Sequence, residues 1–251
     1  MPNLCYLDPM ERWTDQGIVI GVRGHGEGGA VATLLTANHG KHAGYVHGGA
    51  TSQRLRASLQ PGTLVDIEWS AQSMDQLGTV AVQDSQNLNT AWLNDPAALA
   101  ALQSVCVFLD RTVPEREPHA GLYEGTKVFL DLLGHDREIW GGAYVLWELS
   151  LLRGRAFGLQ MHKCAVPADT ENLTYVSPKT GKAVSEAGAG TYKDRLLTLP
   201  GFLGGGDHDG NEDVLAGLKL SGYFIEHRLF AHTTHTMPEA RLRLPSFFEP
   251  Q

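Results

Sequence analysis

Apolar and polar residues alternate in short runs over the first third of the chain, and the runs are separated by glycine-rich breaks. Gly17–Val22 (GIVIGV) is rich in β-branched residues and predicts a strand. The glycines between Gly24 and Gly29 supply a turn, after which Ala30–Thr36 (AVATLLT) predicts a second strand. Asn38-His39-Gly40 marks the next turn and Lys41–His47 a third strand. Thr51–Leu59 reads as one helical turn or a basic loop, and Pro61-Gly62 is a strong turn. Thr63–Ser70 (TLVDIEWS) then alternates as a fourth strand, and Leu77–Gln83 (LGTVAVQ) makes a fifth. Five short strands with such turns fit a partly open barrel of the OB type.

After Asp84 the period changes. Asp95-Pro96 has the cap and first-turn chemistry of a helix start, continuing as AALAALQSVCVFLD. A second helix is expected at about His119–Leu133. A third, Glu138–Phe157, is apolar enough to be buried in a bundle. Residues 162–185 form an irregular insert in which Tyr175-Val176 and Ala183-Val184 pair as a hairpin across Ser177–Lys182. A flexible linker is expected at 201–210, a last helix at about Asn211–Ala231, and an irregular tail after Pro238. The predicted fold class is therefore α+β: an N-terminal five-stranded OB-type β-barrel (1–84), then an all-α helical domain (85–251) with the small insert.

Composition narrows the function classes. With 42% hydrophobic and 19% charged residues the chain reads as globular, and no run approaches the roughly eighteen apolar residues of a membrane span. The acidic, proline-broken start (MPNLCYLDPMERW) is unlike a secretory signal, and Cys5, Cys106 and Cys164 are too few and too far apart for a disulfide framework. A cytoplasmic protein is expected. The net charge of −8 counts against a nucleic-acid binder, but its distribution does not. Between Gln16 and Gln60 the only acidic residue is Glu27, against Arg23, Lys41, Arg54 and Arg56, with His25, His39, His42 and His47 adding charge below neutral pH.

The same span carries residues of sharper chemistry. Gly24-His25-Gly26-Glu27-Gly28-Gly29 satisfies G-x-G-x-x-G, the glycine turn of dinucleotide sites. Its context fails: the next element is too short for a crossover helix, and no acidic residue lies between Glu27 and Asp66 to hold a ribose. A hydrolytic metal site built from His39, His42 and His47 lacks a nearby pair of carboxylates. Asp207–Asp213 lacks the closing glutamate of an EF-hand and reads as a solvated linker capping the last helix. Cys164 has no cysteine partner at zinc spacing, so it reads as a lone thiol and no metal or cofactor is expected. What remains is a cationic groove, Arg23, Lys41, Arg54 and Arg56 beside Tyr45, of the kind in which barrels hold single strands by phosphate pairing and ring stacking. Trp69 can equally fill the barrel core.

In order and spacing, Gly17–Ile20, Gly26-Glu27, Thr33–Thr36, His39–Lys41, Gly44–Gly49, Leu59–Gly62 and Ile67–Trp69 resemble the RecO family of DNA repair proteins. The resemblance continues through Phe157–Leu159, Cys164–Val166 and Tyr175–Pro178. It implies an OB barrel, a helical domain and a non-enzymatic role: binding single- and double-stranded DNA, annealing complementary strands, contacting the C-terminal tail of SSB, and, with RecR, exchanging SSB for RecA. It also implies that Arg23, Lys41, Arg54 and Arg56 fall in barrel regions that touch DNA. Because SSB tails are acidic and apolar, Lys127, Arg137, Arg153 and Arg155 of the helical domain are candidate partner contacts. The chain departs from many relatives in keeping one cysteine of a four-cysteine zinc module, so the insert is expected to be degenerate and metal-free. The basic loop after the third strand is also thin. A protein adaptor with little DNA affinity is the alternative, and a histidine-based metal hydrolase a distant third.

Overall fold

The computed structural model describes residues 10–73, 75–86, 90–164, 173–205 and 210–250. The chain divides into two compact units, Met1–Thr90 with Val105–Glu124, and Ala91–Ser104 with Gly125–Gln251.

The first unit is a closed barrel of β1 (Glu11–His25), β2 (Gly29–Thr36), β3 (Gly40–Val46), β4 (Leu64–Ala71) and β5 (Thr79–Gln86), in the order β1-β2-β3-β5-β4. Side chains alternate across each strand, so Ala32 and Leu34, Val65, Ile67 and Trp69, and Val80 all point inward and form one core. The first strand is longer than its apolar stretch predicts. Residues 11–18 pair with β4 and residues 17–25 with β2, and a bulge between Val19 and Gly21 bends the strand from one neighbour to the other. No apolar run marks Glu11–Gln16 as strand, because Arg12 and Thr14 are exposed on the outer wall while Trp13 turns inward opposite Trp69. The seam between β3 and β5 is a single parallel pairing, Tyr45 with Thr79, so the barrel expected to be partly open is closed there by the narrowest join.

Trp69 fills the core. Its indole N–H donates to the carbonyls of Leu77 and Ala43 at 3.2 and 3.4 Å. Gly78 follows at φ +69°, where a Cβ would stand 2.4 Å from the indole; only glycine allows that approach. The Thr51–Leu59 stretch resolves to a short helix, α1 (Gln53–Ser58), whose N-cap Ser52 accepts a hydrogen bond from the Leu55 amide, while Leu55 and Leu59 pack on the core.

Residues 105–124 belong to this unit as a strap along the barrel. They include the second half of α2 (Pro96–Thr112). The Arg116 amide donates to the Lys41 carbonyl at 2.8 Å, its guanidinium donates to the Gln76 carbonyl at 3.1 Å, and the Tyr123 hydroxyl donates to Gln16 at 3.2 Å.

The second unit contains α3 (Ala120–Leu132, from Gly125 on) and α4 (Arg137–Gly154). It continues with β6 (Gln160–Cys164), β7 (Leu173–Val176), β8 (Lys182–Ser185), α5 (Glu186–Ala189) and β9 (Leu197–Thr198). It ends with α6 (Gly210–Phe224) and α7 (Glu239–Arg243). The expected hairpin is present, with Tyr175 opposite Val184 and Val176 opposite Ala183. The insert around it is not irregular, however: β6 and β9 flank the hairpin to make a four-stranded sheet, β6-β8-β7-β9. Part of the expected linker is ordered too, because Asp213 accepts the Gly201 amide at 2.8 Å; residues 206–209 lie outside the described ones.

Beyond Pro238 the chain is the opposite of an irregular tail. Arg241 of α7 is buried and donates through Nε to Glu148 Oε1 at 2.6 Å and through Nη2 to Oε2 at 3.1 Å. Glu148 lies in the middle of α4 with no exposed surface, and Ser221 of α6 donates to it at 2.6 Å. One carboxylate thus ties α4, α6 and α7 together. Arg241→Ala is expected to cost about 3–5 kcal/mol in denaturant unfolding, since it leaves Glu148 buried without its counter-ion; Glu148→Leu with Arg241→Met is expected to recover most of that loss.

Candidate nucleic-acid interface

One rim of the barrel is built by the β1–β2 hairpin, the turn after β3, and α1. In register, Arg23 of β1 pairs with Val31 of β2, Val31 with Tyr45 of β3, and Tyr45 with Thr79 of β5. Because Ala32 and Val46 point into the core, Val31 and Tyr45 point outward. Arg23 is exposed and Tyr45 half-buried. The Tyr45 ring lies over Gly29, where a Cβ would stand 2.0 Å from the phenol oxygen, so the glycine is what lets the ring lie down on the wall. His25 and His47 meet this ring nearly edge-on, at 5.8 Å and 4.7 Å between centroids. The Ala50 amide donates to the Gly28 carbonyl at 3.2 Å and joins the two turns.

Arg54 and Arg56 are both exposed on α1. Arg54 donates to the Gln83 carbonyl of β5 at 3.1 Å. Residues two apart on a helix diverge by about 200°, so the two guanidinium groups serve different faces. Lys41 is placed differently. It is 7% exposed, and its ammonium donates to the Asp110 carbonyl in the last turn of α2, where a cation meets the negative end of the helix dipole. It is occupied in holding the strap and presents no charge to a ligand. The β4 side of the barrel carries carboxylates, Asp66 and Glu68, the latter paired with Arg12 at 3.3 Å. Exposed Arg23, Arg54 and Arg56 thus gather on the rim that holds the hairpin and α1, while Arg12 is exposed beside Glu68 and Arg111 is exposed on α2.

The opposite end of β1 gathers aromatic rings. Trp13 stacks on His39 at 3.9 Å and 6°, lies 5.4 Å from Trp69, and meets His42 edge-on at 5.0 Å. His39 Nδ1 is 2.8 Å from Asp15, which also accepts the Asn38 amide and side chain. Burial pushes the Asp15 carboxyl up, but the bonds from His39 and Asn38 outweigh it and leave it below its ordinary value. His42 is 3% exposed with neither ring nitrogen hydrogen-bonded, and its pKa is lowered, chiefly by burial. The histidines proposed for a hydrolytic site are therefore split: His39 and His42 pack in this cluster, while His47 lies against Tyr45. Among the described residues no group of three His, Cys, Asp or Glu is placed to hold a metal ion. Of the cysteines, Cys106 is buried with its thiol pushed up to about 12 by burial.

In the second unit, Arg153 is exposed in the last turn of α4. Arg155 is half-buried just past that helix, and Lys127 half-buried on α3. Arg137 is engaged, donating to the Phe247 carbonyl at 3.0 Å and to Asp95 at 3.4 Å. The strong apolarity of α4 concealed an exposed stripe: Ile139 and Leu146 are 49% and 50% exposed and lie at seven-residue spacing with Arg153. That i, i+7, i+14 pattern was readable in the sequence, although a helix apolar on all sides gives no sign of which side stays uncovered.

The chain matches two family models, described as Recombination protein O N terminal over residues 10–86 and Recombination protein O C terminal over residues 93–237. It is 46% identical over 233 residues to the DNA repair protein RecO of Rhodospirillum centenum, covering 92% of each chain. The RecO of Cereibacter sphaeroides is 42% identical over 236 residues, covering 94% of this chain and 97% of the relative. That of Rhodospirillum rubrum is 40% identical over 240 residues, covering 93% and 95%. No helix among the described residues is long and apolar enough to cross a membrane.

Two outcomes test these placements. Lys41→Met is expected to lower the unfolding free energy by about 1–3 kcal/mol, by removing the donor to the Asp110 carbonyl. His42 should also make stability depend on pH. Its folded pKa lies below the ordinary value near 6.5, so the unfolded chain binds more protons as pH falls below about 7, and stability falls with it. Denaturant titrations from pH 7.5 to 5.5 should show that decline in the wild type and a smaller one in His42→Phe.

Proposed function

This chain belongs to the RecO family of DNA repair proteins, and on that premise we propose that it is a non-enzymatic, DNA-binding recombination mediator acting in the cytoplasm. The observation that carries the DNA-binding part is the grouping of exposed arginines on one rim of an OB barrel, with Arg23 one strand away from Tyr45 in register and Arg54 and Arg56 on α1. The rim cations neutralise phosphates of single- or double-stranded DNA, and Tyr45 with its neighbouring rings offers apolar surface to the bases. Annealing follows from the same charge: two strands held near one cationic rim repel each other less than in solution. Lys41 has no part in this contact, because its ammonium is spent on the strap.

The acidic, apolar tail of SSB finds suitable chemistry on the α4 stripe, where Ile139 and Leu146 lead to Arg153. Arg155 and Lys127 are further candidate contacts, and Arg137 would have to leave Asp95 to join them. Docking there brings the protein to SSB-coated strands, and RecR is the partner with which SSB is exchanged for RecA.

An adaptor that docks SSB and RecR with little DNA affinity of its own is the second reading. The burial of Lys41 and the net charge of −8 favour it. Titration of a labelled single strand at 50 and 200 mM salt separates the two. Binding at low salt that weakens steeply at higher salt supports the mediator; no binding at low salt, with SSB-tail binding intact, leaves the adaptor. Arg54→Ala with Arg56→Ala is expected to weaken DNA binding and to flatten the log–log salt dependence by up to about 1.4, since each phosphate contact on a single strand contributes about 0.7.

A further inference from the structure

We propose that His25 and His47 are two additional backbone contacts on the Tyr45 rim, and that their protonation gates nucleic-acid binding there. The inference rests on the DNA-binding reading above and adds to it two residues and a form of regulation.

Strand alternation sets the geometry. Arg23 and His25 are two apart on β1 and so share the outer face, and His47, the first residue after β3, is placed on that face by its ring contact with Tyr45. The intervening strand starts with Gly29, directly opposite His25, and the missing side chain leaves a shallow place between β1 and β3 that the Tyr45 ring covers. Both imidazoles stand against that ring, at 76° and 89° to its plane, while remaining exposed to solvent. Tyr45 is thus less a free stacking platform than the base on which two imidazoles are propped, one on each of the flanking elements. The four side chains Arg23, His25, Tyr45 and His47 form one surface.

The charges that face this surface are few. The first hairpin carries Arg23 and Glu27, and α1 carries Arg54 and Arg56; β2 and residues 48–52 carry none. On the β4–β5 side, Thr79 stands opposite Tyr45, and Asp75 of the preceding turn is paired with Arg116 at 3.7 Å. Apart from His25 and His47 themselves, this leaves Glu27 on the hairpin and Asp84, exposed on β5 next to the Gln83 carbonyl that Arg54 holds, as the carboxylates and three arginines as the cations. Protonating both imidazoles therefore makes the rim considerably more positive. Imidazole changes charge between about pH 5 and 8, and two imidazolium groups beside Arg23 repel each other and it unless an anion lies between them. A phosphodiester backbone is such an anion. By linkage, strand binding takes up protons and acidification tightens binding.

The test is fluorescence anisotropy of a labelled thymidine oligonucleotide at pH 8 and pH 6, over a salt series, for four proteins: the wild type, two histidine double variants, and Arg54→Ala with Arg56→Ala. The wild type is expected to bind on the order of tenfold tighter at pH 6, with a salt slope steeper by up to about 1.4. In His25→Gln with His47→Gln that ratio should fall to about one to two. His25→Arg with His47→Arg should bind at pH 8 with an affinity near that of the wild type at pH 6, and without pH dependence. Circular dichroism at both pH values checks that each protein is folded. A wild-type ratio near one, with binding at pH 8 intact and sensitive to Arg54→Ala and Arg56→Ala, overturns the gate while leaving the DNA-binding reading standing. An undiminished ratio in the glutamine variant does the same. Absence of binding by every protein at both pH values overturns the reading and the gate together.

Discussion

Everything in the first unit depends on β1 being able to pair on both of its edges. A strand of 15 residues running straight would hold β2 and β4 in one open sheet and would not close it into a barrel. The bulge between Val19 and Gly21 redirects it, so Glu11–Ile18 completes the ladder with β4 and Gly17–His25 the ladder with β2. The bend also separates two chemistries by the length of the strand. Trp13 is carried to one end, where it and half-buried His39 join buried Trp69 and His42 in a ring cluster; Arg23 and His25 are carried to the other, where they meet solvent. Closure and the separation of the two ends are therefore set by the same irregularity. The β3–β5 seam, by contrast, rests on one pairing and could not hold the barrel without β1 and the Trp69 core behind it.

Much of this was legible from residue patterns. The strands from Gly17 to Ser70 were marked by alternation and by glycine turns, because those features directly reflect one buried face and a reversal of direction. The Tyr175–Val184 hairpin was legible for the same reason. Three things were hidden, each by a physical cause. Glu11–Gln16 belong to a strand whose outer side chains are polar and whose only inward anchor is Trp13, so no apolar run advertises it. Lys41 reads as a surface cation in any sequence; that it is buried depends on Asp110, far along the chain, which no local pattern encodes. The tail after Pro238 looks irregular because α7 is very short and its fixation comes from one long-range ion pair.

That ion pair and the rim cations illustrate the two uses this chain makes of arginine. Arg241 is buried and engaged, its Nε and Nη2 donating to Glu148, and Nη2 also to the Leu218 carbonyl at 2.7 Å. A planar fork suits that task, and its partner's burial makes the geometry costly to disturb. Arg23 and Arg56 are exposed, and Arg54 gives one bond to a carbonyl. Groups with most of their donors still hydrated can transfer them to phosphate oxygens at little desolvation cost, which is a requirement for binding that must also be reversed.

The small number of such groups bears on how the protein would act. Three rim cations give a salt slope of about 2 on a single strand, so affinity drops on the order of twentyfold between 50 and 200 mM salt. An enzyme that had to hold its substrate through a chemical step would be poorly served by that. A mediator is served well, since it must take a strand, allow a partner or a complementary strand to displace it, and leave. Weak contact at the rim then needs a second attachment to raise the local concentration of protein on DNA, and the apolar stripe of α4 ending in Arg153 offers chemistry for one. An acidic surface elsewhere adds to the effect: it discourages wrapping of the strand beyond the rim, keeping the contact short enough to break.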